Sequence, residues 1–462
     1  MERNHLPADL PHYNLDTPPT PELRTMTALQ DPFYWLGEMN KASAVMVVER
    51  AIVPAPVGAL IARSIKTVID DGNESDSPRS GDYLQVEAAL IEAGGPDVSR
   101  VHSGRSRQDI SATFGRLFLR DGLLNALDAL NNARDDLLTF AAENANAIIP
   151  AYTWGVQAQP TSFGHWLGAY ATAFARAAQR CRQTYARVNL CPLGSAALGT
   201  SSFPIDRERL AELLGFHGVA ENSFDATQIG PADLRVEASQ VLATSALTVG
   251  MLLGDITAQY SHSRPWLTLA QGEQTGTSSI MPQKRNPTGL VRLRALASQV
   301  VANTTATSVL AHNVPSGMHD YKLEGPDPAL ADAARMLGDL AALLKHLRFE
   351  PERALEEVNA EYSTTTELAD VLQRDCDVPF RAGHHFASEL VTFGRTNRLR
   401  PDEIPYSQAK RIYCEAAAES SLSPELPLSE KQFRAALSAD AMILASKGLG
   451  GPQPGEVERM LK

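Results

Sequence analysis

Two stretches of this chain, Leu234 to Tyr260 and Leu290 to Leu310, contain no proline and repeat their apolar residues at helical spacing. Helices of about 20–27 residues span roughly 30–40 Å. A helix that long with one apolar stripe buries the stripe best against others like it, which implies a bundle. Phe163, Trp166, Leu167, Tyr170, Ala173, Phe174 and Ala177 carry the same periodicity, and Met336 to Leu347 is a further candidate. Strands alternating with helices at βαβ spacing are absent, which disfavours a nucleotide-binding α/β fold. The expected fold class is all-α.

The rest of the chain divides around that bundle. Residues 1–25 read as an extended arm, because prolines at 7, 11, 18, 19 and 21 forbid a continuous helix. Shorter helices follow in 26–103: Ala51 to Val68 is helical after its prolines, Asp70 to Gly81 is a charged Gly/Ser-rich break, and Asp82 to Glu92 is helical again. The long-helix region occupies 104–350. Phe349 to Pro351 reads as a hinge into a smaller helical region, 351–462, with helices at Thr366 to Leu372 and Pro379 to Val391.

Acidic residues outnumber basic ones by 54 to 42, which argues against nucleic acid as the main partner, since phosphates demand a basic surface. The four cysteines, Cys181, Cys191, Cys376 and Cys414, are far apart and form no CxxC pair. That spacing suits reduced thiols in a cytoplasm and neither a disulfide framework nor a zinc site. The polar, proline-rich N-terminus has no signal-like apolar core, and no window approaches 18 uninterrupted apolar residues, so neither secretion nor a membrane span is expected. The Gly/Pro turn Gly448 to Gly455 has neither GxGxxG nor P-loop spacing and is not read as a phosphate site, and neither cofactor nor metal is expected.

Between the two long stretches lies Gly272 to Pro287, GEQTGTSSIMPQKRNP. Two glycines, two prolines and a run of hydroxyls make it a loop. Hydroxyls, amides, Lys284 and Arg285, with no carboxylate after Glu273, suit a carboxylate-bearing ligand. An ordinary solvated connector fits the same composition. His102 to Asp109, HSGRSRQD, offers two arginines among hydroxyls. It reads as a carboxylate clamp or as a helix N-terminus with solvated charge.

The SSxMPxKxNP pattern at Ser278, Ser279, Met281, Pro282, Lys284, Asn286 and Pro287 resembles the signature loop of the aspartase/fumarase superfamily, with Thr277 where the family has glycine. HSGRSRQD is similar to the argininosuccinate lyase run HTGRSRND, and the match falls on Ser106 and Arg107, with Gln108 replacing Asn. Tyr152 to His165 resembles a further run of that family at Thr153, Gln159, Pro160, Gly164 and His165. Pro192 to Arg207, Asn222 to Ala226, Thr366 to Leu372 and Val378 to His385 are similar as well, so the resemblance runs from about residue 27 to the end.

What the resemblance implies is a homotetramer whose long helices form a central twenty-helix bundle, each active site drawing on three subunits. The implied reaction is β-elimination from an N-substituted L-aspartate, argininosuccinate-like, to fumarate and an amine, reversible toward synthesis. Ser278 would be the base. Lys284 and Asn286 would hold the aci-carboxylate, with Thr153 catalytic too. Ser106, Arg107, Gln108, Gln159, Ser279 and Trp154 would bind substrate.

The departures lie on the leaving-group side. Trp154 stands where the family has a histidine, and Val291, thirteen residues past Ser278, where it has the partner glutamate. The family's SDRD after NSFDA is replaced by a run through Gln228, Ile229, Gly230 and Pro231, and Met318 to Asp327 departs from YNxDLQEDK. Either the site has been rebuilt or the chain is a non-catalytic descendant with a structural or binding role. The retained Ser278, Lys284, Asn286, Ser106, Arg107 and Thr153 favour the enzyme. His165, His319 and Tyr321 are the alternative proton donors.

Overall fold

The computed structural model describes residues 30–462 apart from 320, 321, 323, 324, 420 and 421. The expected arm at 1–25 and Tyr321 lie outside the described residues. The elements, in chain order, are α1 (Pro32–Glu49), α2 (Ala55–Asn73), α3 (Tyr83–Gly94), α4 (Arg107–Glu143), β1 (Ile148–Thr153), β2 (Val156–Ser162) and α5 (Phe163–Val188). Next come β3 (Leu190–Cys191), α6 (Arg207–Leu213), β4 (Gly218–Val219), α7 (Gly230–Gln259), β5 (Leu267–Leu269), β6 (Gly276–Thr277), β7 (Arg285–Asn286) and α8 (Thr288–Ala311). Then follow α9 (Pro328–Leu344), β8 (Leu347–Phe349), α10 (Pro351–Ala360), α11 (Thr365–Cys376), α12 (Phe380–Asn397), α13 (Tyr406–Glu419), α14 (Glu430–Ala436), α15 (Ala439–Ala445) and α16 (Pro454–Leu461). The all-α expectation holds, with helices of 37, 26, 30 and 24 residues at α4, α5, α7 and α8. The strands are short two-stranded ribbons.

The chain forms two compact units. The first takes residues up to 125, 186–235 and 313–327. In it α1, α2 and α3 pack on one another, burying Leu36, Met39, Met46, Ile61 and Leu90. Pro32 starts α1 behind an Asp31 cap whose carboxylate accepts from the Tyr34 N–H, the arrangement a helix N-terminus favours.

The second unit takes 126–185, 236–312 and 328–462. Helix α9 begins at Pro328, well before the Met336 at which periodicity alone starts it, because proline suits the first helical turn. Helices α11, α12 and α13 build a separate core around Leu368, Leu372, Phe386, Leu390 and Tyr413. Phe349, expected in a hinge, instead ends β8, pairs with Leu267 of β5 and stacks on Phe163 at 4.1 Å.

Among the described residues one helical stretch, Asp225–Gln259, is long and apolar enough to cross a bilayer. It carries Asp233, Arg235, Glu237 and Asp255 along its length, and the Arg235 guanidinium pairs with the fully buried Asp327 carboxylate at 3.0 Å. Ala238, Leu242, Val249, Leu253 and Ile256 are buried, one stripe of the helix packed against protein.

Candidate active site

The signature loop is a small hairpin. Gly276 pairs with Asn286 and Thr277 with Arg285, so Ser278 to Lys284 forms its tip. Thr277 sits in a strand, a conformation that a β-branched residue favours. The tip is braced by Arg285, which donates to the carbonyls of Pro282 (2.8 Å) and Lys284 (3.1 Å). The Ser278 Oγ accepts from two backbone N–H groups, Ile280 at 3.4 Å and Met281 at 3.2 Å. Both favour negative charge on that oxygen. Ser278 and Asn286 are half-buried, while Ser279 and Lys284 are exposed. A Cβ at Gly289 would lie 2.2 Å from Gln274 Oε1, the end of a flexible side chain that would have to shift.

The HSGRSRQD run resolves into a helix start. Ser106 caps α4: its Oγ accepts from the Gln108 N–H at 3.2 Å, and Asp109 returns to the Ser106 N–H at 2.8 Å. This reciprocal pair caps the helix start, with Ser106 on the second helical N–H and Asp109 on the N-cap N–H, in an S-x-x-D spacing. Its second carboxylate oxygen accepts from the N–H groups of Gly194 (2.9 Å) and Ala196 (3.0 Å), tying the 192–207 loop to the start of α4. Burial pushes the Asp109 carboxyl up to about 6 against those three hydrogen bonds.

The two arginines separate. Arg105 is buried, donates to Ser43 Oγ (2.9 Å) and Asn40 Oδ1 (3.0 Å), and lies over the Tyr83 ring. Arg107 is exposed at the first position of α4. Only Arg107 therefore presents its guanidinium outward. Gln108 accepts from the Lys322 ammonium, whose pKa burial depresses. His319 Nε2 lies 3.4 Å from Ser111 Oγ. Asp109 and Lys322 were not singled out from the sequence; the capping spacing marks the first, whereas nothing local marks the second.

Tyr152 to His165 forms most of an antiparallel hairpin that periodicity did not reveal. Its turn is the pair Trp154–Gly155, both at positive φ (56° and 75°), the backbone of a two-residue hairpin turn. Glycine takes that conformation freely; a tryptophan held there is strained by roughly 1–2 kcal/mol. Its indole is wholly exposed at 102 %. Thr153 and Gln159 are exposed on the strands beside it. His165, a candidate proton donor, is engaged at both ring nitrogens, Nδ1 with Thr161 Oγ1 (2.8 Å) and Nε2 with the Gly450 carbonyl (3.1 Å). The second of these makes Nε2 the protonated nitrogen.

Where the family carries SDRD, Asp225–Ile229 winds as one turn of π-helix, a distortion common at functional sites. Gln228 donates to the Ala197 carbonyl at 2.8 Å, joining this turn to the 192–207 loop. The first unit thus gathers Ser106, Arg107, Gln108, the 192–207 loop, the π-turn and Lys322. The second carries Thr153, Trp154, Gln159, Ser278, Ser279, Lys284, Asn286 and Val291. Val291, in the first turn of α8, is 55 % exposed. Among the described residues no group of three or more His, Cys, Asp or Glu is placed to hold a metal.

Residues 37–302 match the profile of a family described as Lyase, and residues 362–443 match one described as Argininosuccinate lyase C-terminal. The chain is 32% identical over 424 residues to the argininosuccinate lyase of Methanococcus aeolicus, covering 90% of this chain and 84% of the relative. It is 29% identical over 459 residues to that of Methanococcoides burtonii, covering 96% and 90%. Among solved structures, EDDS lyase in complex with formate superposes with a TM-score of 0.84 at 27% identity, over 95% of this chain and 88% of that one. A substituted EDDS lyase with bound fumarate superposes equally well, TM-score 0.84 at 28% identity over the same 95% and 88%. A class II fumarase from Schistosoma mansoni shares the fold, with a TM-score of 0.68 at 18% identity over 90% and 91%. With the first profile spanning more than half of the chain and these relatives nearly all of it, the chain is an argininosuccinate lyase-like member of the aspartase/fumarase superfamily, a fumarate-releasing carbon–nitrogen lyase.

Proposed function

We propose that this lyase uses Ser278 as its base on an N-substituted L-aspartate whose amine half is apolar. The observation that carries the assignment is the pair of N–H groups on Ser278 Oγ. A serine hydroxyl is a weak base in water; donors aimed at its oxygen stabilise the alkoxide, and more strongly once the loop closes and excludes water.

The alkoxide takes the Cβ proton, and the electron pair moves into the neighbouring carboxylate to give a dianionic aci-carboxylate. Lys284 and Asn286 hold that charge, and losing one such donor costs roughly 3–4 kcal/mol. The electrons then return to form the C=C bond of fumarate as the C–N bond breaks, and the nitrogen, already protonated as the substrate's ammonium, takes the electron pair of that bond and leaves as a neutral amine. Thr153 is catalytic with Ser278, Lys284 and Asn286, and Ser106, Arg107, Gln108, Gln159 and Ser279 bind the succinyl half.

On the amine side the usual acid pair is replaced by Trp154 and Val291, both exposed and apolar. Such a surface offers a guanidinium no polar partner, and an unpaired buried charge costs several kcal/mol. An indole suits an apolar or aromatic group, and an amine stable enough as a leaving group departs without a strong acid.

The site is completed by association. Leu247 and Met251 on α7 and Val309 and Leu310 on α8 are 59%, 66%, 67% and 61% exposed, apolar faces that a homotetrameric bundle would cover. A three-part chain, 26–103, 104–350 and 351–462, fits this assembly. The free thiols suit a cytoplasmic enzyme.

The test is fumarate formation, followed by its ultraviolet absorbance, across a panel of N-substituted aspartates and in reverse with fumarate and amines. Apolar amines are expected to react. Argininosuccinate is expected to be poor, and cleavage of it with kcat/KM above about 10⁴ M⁻¹s⁻¹ would refute the apolar reading. No turnover with any member would favour the non-catalytic descendant.

A further inference from the structure

The hairpin that carries Thr153 and Trp154 is anchored at one rung. Tyr152 and Gln157 are register partners near its tip. The Tyr152 hydroxyl donates to the Glu357 carboxylate of α10. Across the rung, the Gln157 amide donates to the Val358 carbonyl (3.3 Å) and to Ser363 Oγ (2.9 Å). Both strands are therefore held at the same level by α10 and the residues after it.

Below that rung the ladder is interrupted. The register shifts between Ala151 and Tyr152, and a bulge bends the strand that carries it and disrupts the ladder locally. Above the rung lie one further pair, Thr153 with Val156, and the turn. The clamp thus holds the hairpin on the tip side of the register shift.

Glu357 is itself held. Its side chain is 13% exposed, one oxygen lies 3.4 Å from His262 Nδ1, and the other lies 3.6 Å from the Arg353 guanidinium one turn earlier on α10. The His262 ring also stands edge-on to Tyr152, with centroids 6.3 Å apart. Burial and the adjacent carboxylate raise the Tyr152 phenol above its usual range, so it stays a donor.

We infer that Glu357 is a positioning residue of this enzyme: through Tyr152 it aims the Thr153–Trp154–Gly155 turn. This rests on the reading that the turn belongs to the catalytic site. Glu357 does not touch substrate and acts through the hairpin.

The experiment compares Tyr152→Phe, Glu357→Ala and Glu357→Gln in the full-length protein, alongside Thr153→Ala and Trp154→Ala. Tyr152→Phe deletes one hydroxyl, keeps the ring against His262, and carries the test should Glu357→Ala fold poorly. Expected are a kcat loss of roughly ten- to hundredfold in Tyr152→Phe and Glu357→Ala and partial recovery in Glu357→Gln, which still accepts from Tyr152. KM for fumarate should change little. A larger fast component in tryptophan fluorescence anisotropy is expected too, absent when Trp154→Phe is added.

A purely structural role would lower the thermal midpoint and leave kcat and the Trp154 signal unmoved well below it; that result overturns the inference. If Thr153→Ala and Trp154→Ala keep full turnover, the turn lies outside the site and the functional reading of it fails as well. If those two lose turnover while Tyr152→Phe and Glu357→Ala do not, only the positioning role fails.

Discussion

The Met281 N–H donates to Ser278 Oγ across 3.2 Å, at the tip of a hairpin closed by the Thr277–Arg285 pair. The short ladder fixes the ends of the loop, and the N–H groups polarise the one oxygen the chemistry needs. Ser278→Ala is expected to cut turnover by at least 10²–10⁴-fold, the usual contribution of a positioned base, with the oligomer intact by gel filtration. Substantial activity in the purified variant would remove Ser278 from the mechanism.

Arg105 and Arg107 should separate stability from binding. Arg107→Ala is expected to weaken fumarate roughly ten- to hundredfold, the value of a charge-assisted hydrogen bond, and by the same factor for every succinyl substrate. Calorimetry with fumarate reads this directly, and an unchanged affinity would exclude Arg107 as the clamp. Arg105→Ala leaves Ser43 and Asn40 without their buried partner and should destabilise the fold by about 2–4 kcal/mol, seen as an earlier urea midpoint.

His102 gives the first unit a pH dependence. Its ring stacks on Tyr83 with centroids 4.4 Å apart, and burial, with Arg105 nearby, lowers its pKa from 6.5 to about 4. Between those values the unfolded chain binds a proton that the folded chain does not, so this residue's contribution is present above pH 6.5 and lost as pH falls toward 4. The full shift corresponds to about 3 kcal/mol, and screening at a partly exposed ring reduces it to about 1–2 kcal/mol. His102→Phe keeps the stacking and should flatten that slope in thermal midpoints at fixed protein concentration. Asp109 and Asp121, pushed up to about 6 by burial, slope the opposite way, so the variant is compared with the parent at each pH.

Trp154 and Val291 stand in for a proton-donating pair. Trp154→His combined with Val291→Glu is expected to gain nothing on the native substrate, because its amine leaves without a strong acid. A many-fold acceleration of native turnover would mark the natural protein as a decayed lyase instead of one rebuilt for a different amine.

The long helices, the loop between α7 and α8 and a helix N-terminus as one of two readings of His102 to Asp109 were legible in the sequence, because each depends on residues within a turn or two of one another. The superfamily was legible for the same reason, since its motifs are short contiguous runs. The tertiary structure decided the rest. It buried Arg105 and exposed Arg107, two residues alike in composition and spacing, because only Arg105 meets Ser43, Asn40 and the Tyr83 ring. It turned Tyr152 to His165 into a hairpin with Trp154 at positive φ. It also set that hairpin with a glutamate 205 residues away. Periodicity and capping are local and can be read along the chain; which charge is buried, and which carboxylate a tyrosine reaches, is fixed only when distant segments close on one another.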